Sequence, residues 1–211
     1  MRDYFTRIAI VLDRSGSMES CKESIVAGLN EFIRRQKELP GEATVKLAQF
    51  DDRYETVFDL PLQDCPELAQ DTYVPRGSTA LLDAQGRTID ELGRELAAFP
   101  EPERPSRVIV VTLTDGMENS STHYSLERIG AMIREQRYKY SWEFVFLGAN
   151  QDAVATASAM SIPMPSAMSY STSGAGVAAA MAAVSNYVWS ARRGLQAAFS
   201  PAERKAASAT L

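Results

Sequence analysis

The stretch IAIVLDRSGSM, residues 8–18, decides how the chain is read. Ile8 to Leu12 are apolar without a break, a run of strand length that suits burial on both faces. Asp13, Ser15 and Ser17 then follow at every second position, with Gly16 between the serines. Side chains at i, i+2 and i+4 share one direction while a strand continues. A tight turn at Gly16 would let the hydroxyls curl around an ion. Turn chemistry also draws on Asp, Ser and Gly, so a turn and a site are both open readings of these residues alone.

Outward from this strand, placed at 4–12, short apolar runs alternate with helical patterns. Ser20–Lys37 has Ile25, Leu29, Phe32 and Ile33 at helical spacing, and Ser20 with Glu23 reads as a capping box. Residues 44–50 and 55–60 predict a hairpin across the acidic link Asp51-Asp52-Arg53, and 61–78 looks irregular. A helix over 80–99 leads through EPERP to RVIVVTLTDG, residues 107–116, the most hydrophobic strand. A helix at 125–138, a strand at 142–150, a short helix at 151–160, a weak strand within 163–170 and a last helix over 174–199 complete the pattern. The expected architecture is one three-layer, doubly wound, Rossmann-like α/β domain over residues 1–199. Its sheet is mostly parallel with one antiparallel edge strand, helices cover both faces, and 200–211 is a flexible tail.

Composition narrows the function. With 45% hydrophobic and 23% charged residues, the 211-residue chain can bury a core without staples. A net charge of −5 argues against nucleic acid or an anionic membrane surface as partner, and Arg34-Arg35 and Arg192-Arg193 read as solvated helix faces. Cys21 and Cys65 lack metal-ligand spacing and read as free thiols. Nothing resembles a signal peptide or a membrane span, so a cytoplasmic protein is expected.

In an open parallel sheet, ligands gather beyond the carboxyl ends of the strands, where strand order reverses. If the strands at 4–12 and 107–114 are neighbours, Asp13, Ser15, Ser17, the Thr79 of RGSTAL and the Asp115 of TLTDG meet at one edge. Two carboxylates and three hydroxyls form a hard-oxygen set suited to Mg²⁺, with Mn²⁺ as a substitute, rather than Zn²⁺ or Cu²⁺. Met18, Ser78, Glu118, Asn119, Asn150, Gln151 and Asp152 would form the rim that a partner touches. Helix capping is the plainer role for the 150–152 group.

Asp13-x-Ser15-x-Ser17, Thr79 and Asp115 together resemble the metal-ion-dependent adhesion site of von Willebrand factor type A domains. The similarity runs over about residues 4–199 and suggests a stand-alone bacterial or phage member. It implies direct metal binding by Ser15 and Ser17, direct or water-mediated binding by Thr79, and binding largely through water by Asp13 and Asp115. It also implies Mg²⁺, and an open position filled by an Asp or Glu of a partner protein. Intracellular relatives work beside AAA+ ATPases or in stress-response assemblies, which makes such a partner an expectation here.

The expected function is therefore a metal-dependent protein-binding module without catalysis. A structural or assembly component is the alternative. A Mg²⁺-dependent phosphohydrolase is disfavoured because Ser15 stands where a second acid–base aspartate is wanted. His123 is the sole histidine, in a polar loop, and no G-x-S-x-G, P-loop or G-x-G-x-x-G is present.

Overall fold

The computed structural model describes residues 2–209. The 8–12 run lies in the long strand β1 (Arg2–Asp13), paired in parallel with β2 (Glu42–Phe50) on one side and β4 (Pro105–Thr114) on the other. β3 (Tyr54–Pro61) pairs antiparallel with β2, while β5 (Glu143–Ala149) and β6 (Ala167–Tyr170) continue in parallel beyond β4. The sheet order is β3-β2-β1-β4-β5-β6. The chain thus builds outward from β1 to β3 and then crosses back to β4, so strand order reverses between β1 and β4.

Alternation along β1 divides the core into two layers. Ile8, Ile10 and Leu12 pack with α1 (Lys22–Lys37) and α5 (Gly174–Arg192). Ala9 and Val11 face α2 (Leu81–Ala98), α3 (Leu126–Tyr140) and α4 (Ala153–Ala159). Each fully buried Ile, Leu or Val contributes about 1.5–3 kcal/mol relative to exposure, which makes the two-sided burial of this central strand decisive for the fold. Among the described residues no helix is long and apolar enough to cross a membrane, and both cysteines are buried free thiols.

Several local expectations give way to tertiary structure. Gly16–Cys21 forms a 3-10 turn, so Cys21, not Ser20, precedes α1; the Ser20–Glu23 capping box does not form, and Ser20 Oγ donates to Ser17 O instead. α5 stops at Arg192 rather than Phe199. Gly194 adopts φ +73°, with Gly194 N–H on Ala191 O and Leu195 N–H on Ser190 O, the double bond pattern of a Schellman stop. Arg192 is buried and donates to Gln36 O and Gly41 O, so it lies in the core, unlike Arg34 and Arg35, which pair with Glu31 at the surface. The stretch expected to be a flexible tail contains a further helix, α6 (Pro201–Ala207). Ser200 and Glu203 form its capping box, and Ala207 is buried in the α5 layer.

Candidate metal centre

The loops that follow β1 and β4, and the loop that precedes α2, meet at the strand-order reversal. Asp13 ends β1 fully buried. Its Oδ1 accepts Ser15 N–H at 2.6 Å, and its Oδ2 accepts Thr114 Oγ1 at 2.5 Å. These bonds favour the carboxylate, but desolvation outweighs them, helped by the nearby Asp115 charge, and pushes the Asp13 carboxyl up to about 6. Burial likewise raises Asp115, against the hydrogen bond from Ser17. A cation beside the pair would offset the burial that raises both carboxyls and the Asp115 charge that adds to it at Asp13.

The hydroxyls converge on the same place. Ser15 Oγ lies 3.2 Å from Ser17 Oγ, and Ser17 Oγ donates to Asp115 Oδ1 at 2.5 Å. A Cβ built on Gly116 would stand 2.9 Å from Thr79 Oγ1, 3.7 Å from Ser17 Oγ and 3.8 Å from Ser15 Oγ. The space that the glycine leaves open is therefore bordered by all three hydroxyls. Asp115 Oδ2 is buried and has no hydrogen-bond partner. An orphaned carboxylate oxygen beside a hydroxyl cradle fits a hard divalent cation. Among the described residues no group of three His, Cys, Asp or Glu is placed to hold a metal, so any ion here depends on the serine and threonine oxygens.

Thr79 is placed by two hydrogen bonds with Asn119, one to its side chain and one from its main chain. Thr79 N–H donates to Asn119 Oδ1 at 2.9 Å, and Asn119 N–H donates to Thr79 O at 3.0 Å. Glu118 accepts from Leu82 N–H, Ser120 N–H and Ser121 N–H, closing the start of α2. The expected rim thus divides. Met18 is fully buried and packs in the core under the turn, a correction with a simple cause: the 3-10 turn points it inward. Asp152 caps α4 through Val154 N–H and Ala155 N–H. Ser78 and Asn150 are exposed, and Gln151 Nε2 donates to Gly116 O at 2.9 Å. Met117, 69% exposed, stands on the same loop. His123 is exposed and contacts Asp83.

Sequence reading missed the supports beneath the site. Thr114 anchors Asp13 directly. Tyr73 Oη donates to Asp13 O at 2.6 Å, and Tyr170 Oη donates to Thr114 O at 3.2 Å, so two buried tyrosines brace the ends of β1 and β4. A hydroxyl at the end of an aliphatic strand was the only signal for Thr114. Tyr73 and Tyr170 carry no signal, since a buried tyrosine reads as core.

No protein-family model and no curated protein sequence matches the chain. Solved structures do. Proximal thread matrix protein 1 from the mussel byssus, in a form with a zinc-occupied metal-ion-dependent adhesion site motif, superposes with a TM-score of 0.63 at 20% identity, over 90% of this chain and 47% of that one. A von Willebrand factor type A structure from Catenulispora acidiphila gives 0.57 at 15% identity, over 89% and 43%. The pilus adhesin SpaC from Lactobacillus rhamnosus GG gives 0.65 at 13% identity, over 90% and 31%. The chain spans less than half the length of each of these. At such identities the likeness establishes architecture, and the chain has a von Willebrand factor type A-like α/β fold.

Proposed function

We propose that this is a non-enzymatic protein-binding domain that holds Mg²⁺ through Asp13, Ser15, Ser17, Thr79 and Asp115 and takes an Asp or Glu side chain of a partner at that ion. The supporting observation is Asp115 Oδ2, buried and unpartnered beside the hydroxyls of Ser15, Ser17 and Thr79. Bound Mg²⁺ would supply a Lewis-acidic centre that keeps exchangeable positions for a hard anionic oxygen. The protein's own part is placement. Asp13, locked by Thr114 and Ser15 N–H, and Asp115 supply compensating charge, the three hydroxyls supply neutral donors, and the exposed Ser17, Ser78 and Met117 leave the opening accessible.

The all-oxygen donor set favours Mg²⁺ or Mn²⁺ over Zn²⁺, even though zinc occupies the corresponding motif in the mussel protein. The buried free thiols Cys21 and Cys65 support a cytoplasmic setting. The test is calorimetric titration of MgCl₂ to millimolar concentration into metal-stripped protein. Asp115→Ala and Ser15→Ala/Ser17→Ala serve as controls, and capture of an acidic peptide library in Mg²⁺ against EDTA follows. Saturable binding in the wild type that both variants lose is expected. A folded wild type that binds no Mg²⁺, Mn²⁺ or Zn²⁺ overturns the proposal in favour of a structural component.

A further inference from the structure

Asp51, which the sequence presents only as part of a hairpin link, is fully buried beside the candidate centre. Its Oδ2 accepts Arg14 Nε at 3.0 Å and Arg76 Nε at 2.9 Å, and its Oδ1 accepts Arg53 N–H at 2.6 Å. Its main-chain oxygen accepts Ala80 N–H at 2.9 Å. The two arginines come from different loops. Arg14 lies between Asp13 and Ser15, and Arg76 precedes Thr79 by three residues. The loops are also laced directly, Arg76 N–H to Arg14 O at 2.7 Å and Gly16 N–H to Gly77 O at 3.3 Å, and Glu55 pairs with both guanidinium groups at 2.7 and 3.1 Å.

We infer that Asp51 is a positioning residue, which fixes the Thr79 loop against the Ser15–Ser17 turn and thereby sets how tightly the centre holds a divalent cation. This rests on the metal reading proposed above. The physical need is clear from the chain. Residues 65–80 contain no helix or strand, so no secondary structure sets the place of Thr79. Two guanidinium groups on one carboxylate oxygen are held together by that anion. Without it the half-exposed Glu55 carboxylate remains to offset their repulsion, and the bonds that lace the loops bearing Ser15 and Thr79 are left to hold the spacing with less support. Removing one partner of a buried ion cluster costs stability as well, so affinity and stability have to be measured side by side.

The experiment measures Mn²⁺ affinity, by electron paramagnetic resonance of free Mn²⁺, and thermal stability for the wild type, Asp51→Asn and Glu91→Gln. The last breaks the Lys46–Glu91 ion pair three turns along α2, away from the centre. Asp51→Asn is expected to weaken Mn²⁺ about tenfold at a temperature where it stays folded, while Glu91→Gln lowers stability and leaves affinity within twofold. If Glu91→Gln weakens Mn²⁺ as much as Asp51→Asn, general loosening is the cause and the inference falls. A wild type that binds with an equally tight Asp51→Asn overturns the inference alone. A wild type that binds nothing overturns the metal reading and the inference with it. Should Asp51→Asn not fold, Arg76→Met, at a half-exposed position, replaces it under the same outcomes.

Discussion

At the scale of single residues, Gly116 and Asp115 determine how much room and how much charge the three hydroxyls share. Gly116 lies outside the left-handed region, so Ala is allowed there by the backbone. Its added Cβ would nonetheless reach within 2.9 Å of Thr79 Oγ1 and invade the cradle. Gly116→Ala should therefore weaken Mg²⁺ binding at least tenfold, about 1.4 kcal/mol, with the unfolding free energy within about 1 kcal/mol of wild type. Calorimetry paired with urea unfolding checks both halves. Unchanged affinity would show that the space over Gly116 is not where the ion sits.

At the scale of elements, α2 and the loop that follows β4 fit because Gly86 admits an aromatic ring. A Cβ on Gly86 would lie 2.3–2.4 Å from the ring of Tyr124, whose hydroxyl donates to Asp90 at 2.6 Å. Helix propensity alone makes Gly→Ala favourable by about 1 kcal/mol, but overpacking of this kind costs about 1–3 kcal/mol. The second effect wins, so Gly86→Ala should destabilise, and a higher melting temperature would refute the packing account. The same loop is tied to α2 by Asp83. Burial works to raise its carboxyl, but N–H bonds from Thr122, His123 and Tyr124 and the His123 ring hold it below the ordinary value. A depressed folded pKa adds stability above the unfolded value near 3.9 and loses it as pH falls through the lower folded value. The stability gap between wild type and Asp83→Asn should thus be full from pH 5 to 7 and shrink below about pH 4. Equilibrium unfolding at each pH gives the comparison, and a gap independent of pH would count against it.

At the scale of the whole molecule, the candidate centre joins three loops from separate parts of the chain, so ligation and folding are linked. An ion that binds only the native state at 100 times its Kd adds about 2.7 kcal/mol. For a chain of this size that raises the melting temperature by roughly 5–10 °C. Saturating MgCl₂ should produce that shift in the wild type and none in Asp115→Ala. A matching rise in the variant would mean that the salt acts elsewhere.

The uninterrupted run Ile8–Leu12 and the matching run in β4 could take only one environment, a sheet covered on both faces, so the fold class and strand types followed from local hydrophobicity. The donor atoms of the candidate centre were also legible, because Asp13, Ser15, Ser17, Thr79 and Asp115 all carry hard oxygen at strand or helix ends. Side-chain direction was not. Met18 turns inward and Arg192 lies buried because their surroundings were set by packing from distant elements, and α5 ends early because Gly194 adopts a conformation that periodicity does not register. The supports of the centre were hidden for the same reason. Tyr73 reaches Asp13 across 60 residues and Thr114 across 101, and Asp51 reaches Arg14 across 37. Which oxygens are available is a property of residue types; which of them meet is decided by contacts between segments far apart in the chain, and those exist only in the folded molecule.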